Sequence, residues 1–165
     1  MSHLDTNLTI HQIEDIIISY EGGVRNKICV PNVSWGLGID YEADLLVITK
    51  TGYCTEYEIK RSYSDFLADM KKSEDAHKAP WVYKFYYVIP LAIKDKVLKF
   101  FEDKGITGCD VPGILCYSER GNITSIGGIP HNKGGRKMFL EEILKVARLG
   151  TLRYWNLRNK GGNNE

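Results

Sequence analysis

The sequence predicts an α/β fold in which a central mixed sheet is flanked by helices. Three observations lead to this class: the chain opens with an amphipathic helical pattern, continues with strand patterns that include a hairpin, and then alternates strands with helices. A hairpin pairs its strands antiparallel and a helical crossover pairs them parallel, so one sheet should contain both kinds of pairing. With 165 residues, 43% of them hydrophobic, the chain suits one domain over residues 1–160 and a flexible tail over 161–165.

The first element is a helix with a complete start signal. Thr9 followed by Gln12 is the pattern of a capping box, and the isoleucines that follow cover one broad apolar arc. Glu14 falls inside this arc, where an unpaired buried carboxylate would be unfavourable. Two interpretations remain open: Glu14 reaches solvent at the rim, or the helix packs on the sheet and delivers this carboxylate to a site there.

A strand is predicted over residues 27–30, another over 33–39, and a β-hairpin over 43–60. The length of the hairpin loop decides which side chains share a face. A two-residue loop would set Asp44 against Ile59. A three-residue loop that ends at Gly52, with this glycine in the left-handed region, would set Asp44 directly against Glu58. Glycine as the last loop residue favours the three-residue loop.

The later elements are predicted from helix-capping residues and from the prolines and glycines that end helices and strands. A helix begins at Ser62 or Ser64 and buries Phe66, Leu67 and Met70. The elements after it are a strand over 81–89 stopped by proline, a helix over 93–104 stopped by glycine, short strands over 113–118 and 122–126, and a helix over 136–158 that is expected to break near Gly150.

In the register set by the three-residue loop, Asp44, Glu58 and Lys60 lie on one face at one end of the hairpin. Like charges directly across a ribbon repel each other, so this pair of carboxylates should lower stability unless a cation lies between them. Two carboxylates beside a lysine can form a divalent-metal site that hydrolyses a phosphodiester. The alternative is an ordinary solvent-facing hairpin in which Lys60 neutralises Glu58.

Charge and cysteine patterns narrow the function classes. The net charge is +1, yet residues 131–160 hold eight basic side chains against two glutamates. Arg136, Lys137 and Arg153 in this segment are candidates for contact with a nucleic-acid backbone, and the alternative is a solvated helical face. The four cysteines have no metal-knuckle spacing, so we expect free thiols. No apolar run is long enough to span a membrane, and we expect a cytoplasmic protein without a membrane partner.

These residues resemble a known superfamily. The order of a helix with Glu14, strands, Asp44, thirteen residues and then Glu58-Ile59-Lys60 resembles the PD-(D/E)xK nucleases, over roughly residues 7–90. The resemblance implies the restriction-endonuclease-like fold with its αβββαβ core. Within the superfamily the chain is most similar to the MmcB-like DNA repair proteins, in Ser64-Asp65-Phe66, Asp69, Lys71 and the segment 84–90. It departs from the motif at Ala43, where the motif has proline.

The resemblance also implies roles for individual residues. Asp44 and Glu58 would bind Mg²⁺ or Mn²⁺ with help from the Ile59 carbonyl, and Lys60 would orient the attacking water. Glu14 would contribute from the first helix, and Lys71 would touch phosphate. The expected activity is metal-dependent hydrolysis of DNA in repair or processing, and cleavage of both strands would suit a homodimer. The alternatives are a catalytically inert nucleic-acid-binding protein on the same fold and a small enzyme with another substrate.

Overall fold

The computed structural model describes residues 4–34, 37–71, 79–130 and 134–161. In these ranges the chain forms four α-helices and six strands, and the strands form one sheet. Their order is α1 (Ile10–Tyr20), β1 (Lys27–Val33), β2 (Ala43–Thr49), β3 (Cys54–Ile59), α2 (Tyr63–Asp69), β4 (Val82–Pro90), α3 (Lys94–Asp103), β5 (Gly113–Tyr117), β6 (Ile123–Gly127) and α4 (Leu140–Gly161). Within the described residues, no helix is both long and apolar enough to cross a bilayer.

The sheet is mixed, as the sequence predicts, and its six strands lie in chain order from β1 to β6. The strands β1, β2 and β3 pair antiparallel, and β3, β4 and β5 pair parallel. The last pair, β5 and β6, is antiparallel. The helices α2 and α3 form the two crossovers that parallel pairing needs.

Helices cover both faces of the sheet, which confirms the predicted α/β class. On one face, Ile13 and Ile17 of α1 pack in a buried cluster with Leu45 and Tyr57. On the other face, side chains of α2, α3 and α4 pack on the sheet, and Leu46 lies in the cluster that includes α4. Leu45 and Leu46 are neighbours on one strand, so they point to opposite faces. The capping box predicted for α1 is present, with Thr9 accepting from the Gln12 amide.

The hairpin adopts the predicted three-residue loop. Leu45 lies opposite Tyr57 and Ile48 opposite Cys54, a register that places Asp44 opposite Glu58. The Thr49 amide donates to the Tyr53 carbonyl at 2.9 Å and closes the loop. Gly52 has a φ of +86°, the left-handed conformation that the prediction requires. One glycine at the turn therefore determines which charges share a face at the far end of the hairpin.

Replacing Gly52 by alanine should lower the free energy of unfolding by about 1 kcal/mol, because a left-handed backbone is unfavourable for a residue with a Cβ. The nearest atom to an added Cβ is the Met138 carbonyl oxygen at 3.5 Å, an ordinary contact, so the loss would come from the backbone alone. Urea denaturation measures the difference. Lys50→Ala, at an exposed position in the same loop, is the control, and equal stability of the two variants would contradict the expectation.

The second strand predicted over residues 33–39 is wrong for the described part of that segment. Strand β1 instead runs on to Val33, which pairs with Ala43, and residues 34 and 37–39 are not in a strand. Gly38 has a φ of +70°, which is incompatible with the extended backbone of a strand.

The C-terminal helix also differs from its prediction. It begins at Leu140 rather than at residue 136, because the Arg136 amide donates to the Pro80 carbonyl and the Met138 amide to the Gly52 carbonyl. The predicted break near Gly150 does not occur. Gly150 instead lets the helix approach β1, since an added Cβ would lie 3.0 Å from Val30 Cγ2. Of the predicted tail, Gly161 ends α4 and residues 162–165 lie outside the described residues.

Candidate functional site

The site begins with the half-buried Asp44 near the start of β2. Its Oδ2 accepts a hydrogen bond from the Ile59 backbone N–H at 2.7 Å. The ladder between β2 and β3 ends at the pair of Leu45 and Tyr57. Beyond this pair, the Asp44 side chain binds the Ile59 amide, two residues after Tyr57. This bond holds the Asp44 carboxylate beside the segment that carries Glu58 and Lys60.

The environment of Asp44 raises the pKa of its carboxyl to about 7. Burial is the largest cause, and the negative charge of Glu58 is the second. The Ile59 amide and the Lys60 ammonium act in the opposite direction but do not cancel these effects. The repulsion expected from the hairpin register is therefore present in the folded protein.

Lys60 is the only buried basic side chain of the described residues, with 4% exposure. Its Nζ donates to Glu58 Oε1 at 2.6 Å and lies 3.3 Å from Asp69 Oδ1. Burial acts to lower the pKa of Lys60, but the negative charges of Glu58 and Asp69 outweigh it, so the pKa is raised. The lysine is thus a fixed cation at neutral pH, held between two carboxylates.

Asp69, at the end of α2, is a site residue that the sequence analysis named in the family resemblance but did not assign to the site. It is 4% exposed, and its Oδ2 accepts from the Tyr87 hydroxyl at 2.9 Å. The prediction of buried Phe66, Leu67 and Met70 is confirmed only for Phe66, since the other two are partly exposed. Asp69 lies three residues after Phe66 and therefore on the same helix face, a spacing that could have identified it.

Glu56 is a second buried acid on the same face of the sheet, two residues before Glu58. It is fully buried, and its Oε2 accepts from the Tyr41 hydroxyl at 2.9 Å. Burial and the charge of Glu56 raise the pKa of Tyr41 above its usual range, so this hydroxyl stays protonated. Tyr41 and Arg136 both line a cleft of about 320 Å³ that neither Asp44 nor Lys60 lines.

Glu14 is buried, with 7% exposure, but it lies on α1, which packs on the face opposite to Glu58. His11 Nδ1 lies 3.0 Å from its Oε2, and its Oε1 has no hydrogen-bond partner among the described residues. Glu14 is not among the principal charges that shift the pKa of Asp44. The structure does not bring it into contact with the other site residues, and its role stays a prediction.

The four residues predicted to contact nucleic acid have different partners in the fold, and their role stays a prediction. Arg136 makes a double ion pair with Glu142, both contacts at 2.8 Å, and Lys137 lies 4.9 Å above the Tyr53 ring. Arg153 donates to the Asn32 carbonyl and so ties α4 to β1. Lys71 is exposed and follows the helix that carries Asp69, which places it closer to the carboxylates along the chain than the other three.

The oxygen atoms of this site are ligands of the kind that Mg²⁺ binds, although only a few are present. Within the described residues, no group of three or more histidine, cysteine, aspartate or glutamate side chains is placed to hold a metal ion. Asp44 and Glu58 supply two carboxylates, with the Ile59 carbonyl as the predicted third oxygen. Mg²⁺ commonly uses only one or two carboxylates and keeps several waters, so this set fits it. The expected free thiols are found at Cys29, Cys54 and Cys116.

Stability should depend on pH through Asp44. An unfolded aspartate has a pKa near 3.9, and the folded carboxyl has one of about 7, so the folded state binds more protons between these values. Asp44 therefore lowers stability as pH rises from about 4 to about 7. Asp44→Asn keeps an acceptor for the Ile59 amide and removes this dependence, so it should be more stable than the parent above pH 7, by about 4 kcal/mol.

The measurement is urea denaturation of both proteins in EDTA at acidic, neutral and alkaline pH. All other titrating groups are shared, so the difference between the two free energies isolates residue 44. A difference that does not change with pH would contradict the raised pKa.

Comparisons with known proteins add evidence on the fold alone. No protein-family model matches this chain, and no curated protein matches it either. Among solved structures, the chain is similar to the SPO1766 protein of unknown function from Silicibacter pomeroyi, with a TM-score of 0.63 and 16% sequence identity. The match covers 95% of this chain and 97% of that one. The two proteins therefore share an α/β architecture over nearly their whole lengths.

Proposed function

We propose that this chain is a Mg²⁺- or Mn²⁺-dependent nuclease that hydrolyses DNA phosphodiester bonds on a restriction-endonuclease-like core. The observation that carries the proposal is the placement of Asp44 opposite Glu58, with Lys60 bonded to Glu58. These are the residues at which the sequence resembles the PD-(D/E)xK motif. The order of α1, three strands, α2 and β4 agrees with the αβββαβ core of that superfamily.

The electrostatics of the site support a role for a bound cation. The pKa of Asp44 is raised by burial and by Glu58, and a divalent ion between the two carboxylates would relieve that repulsion. Asp44 and Glu58 would hold the ion, with the Ile59 carbonyl as an added oxygen. When bound, the ion would neutralise negative charge that develops on the phosphoryl oxygens during hydrolysis.

The chain's own residues would then position substrate and water. Because its pKa is raised, Lys60 stays protonated and cannot serve as a general base at neutral pH. Its role would be to orient the attacking water and to add positive charge beside the phosphate. Hydrolysis adds one water across a P–O bond and leaves a phosphate monoester and an alcohol. Asp69 would fix the position of the Lys60 ammonium through its ion pair, and the Tyr87 hydroxyl would hold Asp69 in place.

DNA contact would come from the exposed Lys71, which follows α2 in the chain, and from the basic side chains of α4. Cations that neutralise phosphates release counterions, so binding should weaken steeply as salt concentration rises. Arg136 is already paired with Glu142 and would contribute less than Lys71.

The decisive experiment is cleavage of plasmid and oligonucleotide DNA by the purified chain with Mg²⁺ or Mn²⁺. Cleavage that stops in EDTA supports the proposal. Activity that survives EDTA, or that is unchanged in Asp44→Asn, would refute it. Asp15→Asn, an exposed aspartate on α1, is the matched control that should cleave normally.

A second candidate is an inert nucleic-acid-binding protein on the same fold. It is favoured by the ion pairs of Lys60, which engage both Glu58 and Asp69 in the folded chain. Calorimetry with Mn²⁺ separates the two functions. Binding that is lost in Asp44→Asn favours the nuclease, whereas DNA binding without any Mn²⁺ signal favours the inert protein.

A further inference from the structure

The outer surface of α4 is unusually apolar for an exposed helix. Seven of the thirteen exposed large hydrophobic side chains in the described residues lie between positions 139 and 157. They are Phe139, just before α4, and Leu140, Leu144, Leu152, Tyr154, Trp155 and Leu157 of α4, with exposures from 42% to 71%. Apolar clusters of this kind on a soluble protein usually mark an interaction surface rather than plain solvent contact.

The packed side of α4 is already defined by its contacts with the sheet. Val146 and Leu149 are buried in the cluster that includes Val30 of β1, and Arg153 donates to the Asn32 carbonyl. The exposed side is therefore a separate face. It cannot turn toward the sheet without breaking these contacts.

The exposed side carries a regular seam, which we define as residues 140, 144, 147, 151, 154 and 158. Their side chains are Leu140, Leu144, Ala147, Thr151, Tyr154 and Arg158. The intervals alternate between four and three residues, which is the spacing of the core positions of a helical coiled coil. The two central side chains, alanine and threonine, are small and would let a second helix approach closely at the middle of the seam.

Two charges at the ends of the seam favour an antiparallel direction, and the other basic side chains between them, Lys145, Arg148 and Arg153, are not seam residues. Glu141 lies at the N-terminal end of the seam and Arg158 at its C-terminal end. In a parallel pair of identical helices each charge would face its own kind. An antiparallel pair brings Glu141 of one helix near Arg158 of the other at both ends, and it also aligns the helix dipoles favourably.

The size of the seam also fits a second copy. Helix α4 has 22 residues, so it is about 33 Å long. Leu140, Leu144 and Tyr154 of the seam, together with Trp155 beside it, would each bury about 100 Å², or roughly 400 Å² of apolar area from each copy. That is about half of the roughly 800 Å² that each partner of a standard interface buries, a usual apolar share.

We propose that this protein forms a homodimer in which α4 of one chain packs antiparallel against α4 of a second chain along the seam. The proposal does not depend on nuclease activity. It assigns the exposed apolar side of α4 to self-association, and no residue of the carboxylate site belongs to the seam.

The first test is the molar mass of the full chain in solution, without DNA, from micromolar to submillimolar concentration by sedimentation equilibrium. We expect a dimer, and Leu144→Asp should raise its dissociation constant at least about 100-fold by placing a charge in the apolar seam. Leu91→Asp, at an exposed leucine outside α4, is the matched control and should leave the dimer unchanged. A parent chain that is monomeric throughout, or a Leu144→Asp variant that dimerises normally, would overturn the proposal.

The second test fixes the direction of the helices. Glu141→Lys and Arg158→Glu should each weaken the dimer roughly ten-fold, since each breaks two ion pairs per dimer, and the double variant should regain parental affinity. Failure of the double variant to recover would overturn the antiparallel arrangement. If the parent is monomeric and Tyr154→Ala instead weakens binding to single-stranded DNA, the seam contacts nucleic acid and the dimer proposal is wrong.

Discussion

Replacing Asp44 by asparagine should lower the rate of Mg²⁺- or Mn²⁺-dependent DNA cleavage by at least about 100-fold. Asparagine has nearly the same shape, and its side-chain oxygen can still accept the 2.7 Å hydrogen bond from the Ile59 amide. The hairpin should therefore keep its register while the site loses one of its two carboxylates. The expected loss comes from weaker binding of the ion and from less stabilisation of charge in the transition state.

Initial rates on a supercoiled plasmid, measured over a range of Mn²⁺ concentrations, test this expectation. If the loss arises only from weaker ion binding, high Mn²⁺ should restore much of the rate. The Asp15→Asn variant should cleave at the parental rate, which excludes a general effect of removing an acid. A rate for Asp44→Asn within a few-fold of the parent would show that this residue takes no part in cleavage.

The second large effect concerns the stability of the fold. Replacing Lys60 by methionine should lower the free energy of unfolding by about 3–5 kcal/mol, because it removes the cation from a buried ion pair and leaves its acid partners behind. Lys60 and Glu58 are each only 4% exposed, and the ammonium lies 2.6 Å from Glu58 Oε1. Methionine fills a similar volume, so a cavity should contribute little.

Urea denaturation at neutral pH measures this effect, and a double variant isolates its cause. Lys60→Met combined with Glu58→Gln should recover a substantial part of the stability, since the glutamine carries no charge to compensate. Lys104→Met, at an exposed lysine after α3, should change stability by less than about 0.5 kcal/mol. A loss below about 1 kcal/mol in Lys60→Met would contradict the buried ion-pair assignment.

The relative positions of Asp44 and Glu58 follow from the geometry of the turn and of the two strands. The glycine that closes the loop specifies a three-residue turn, and the two-residue period of a strand then carries that choice to Asp44 and Glu58. No distant contact enters this argument, so the register predicted from the sequence agrees with the structure. The start of α1 was equally predictable, because a capping box involves only neighbouring residues.

The parts that could not be predicted depend on packing between distant elements. Sequence periodicity indicated that α2 would bury Phe66, but it did not indicate that Asp69 would reach Lys60 across the connection between β3 and α2. Periodicity also did not indicate that Arg136 would pair with Glu142, or that Arg153 would bond to the backbone of β1.

The sequence by itself determined the class of fold, the hairpin register and the shared face of Asp44, Glu58 and Lys60, because turn geometry and strand alternation act over a few residues. Only the tertiary structure decided that Asp69 and Tyr87 support Lys60, that α1 places Glu14 on the opposite face, and that α4 exposes an apolar seam. These outcomes depend on which helix packs against which face of the sheet. Hydrophobic burial over the whole chain sets that choice, and no single segment encodes it.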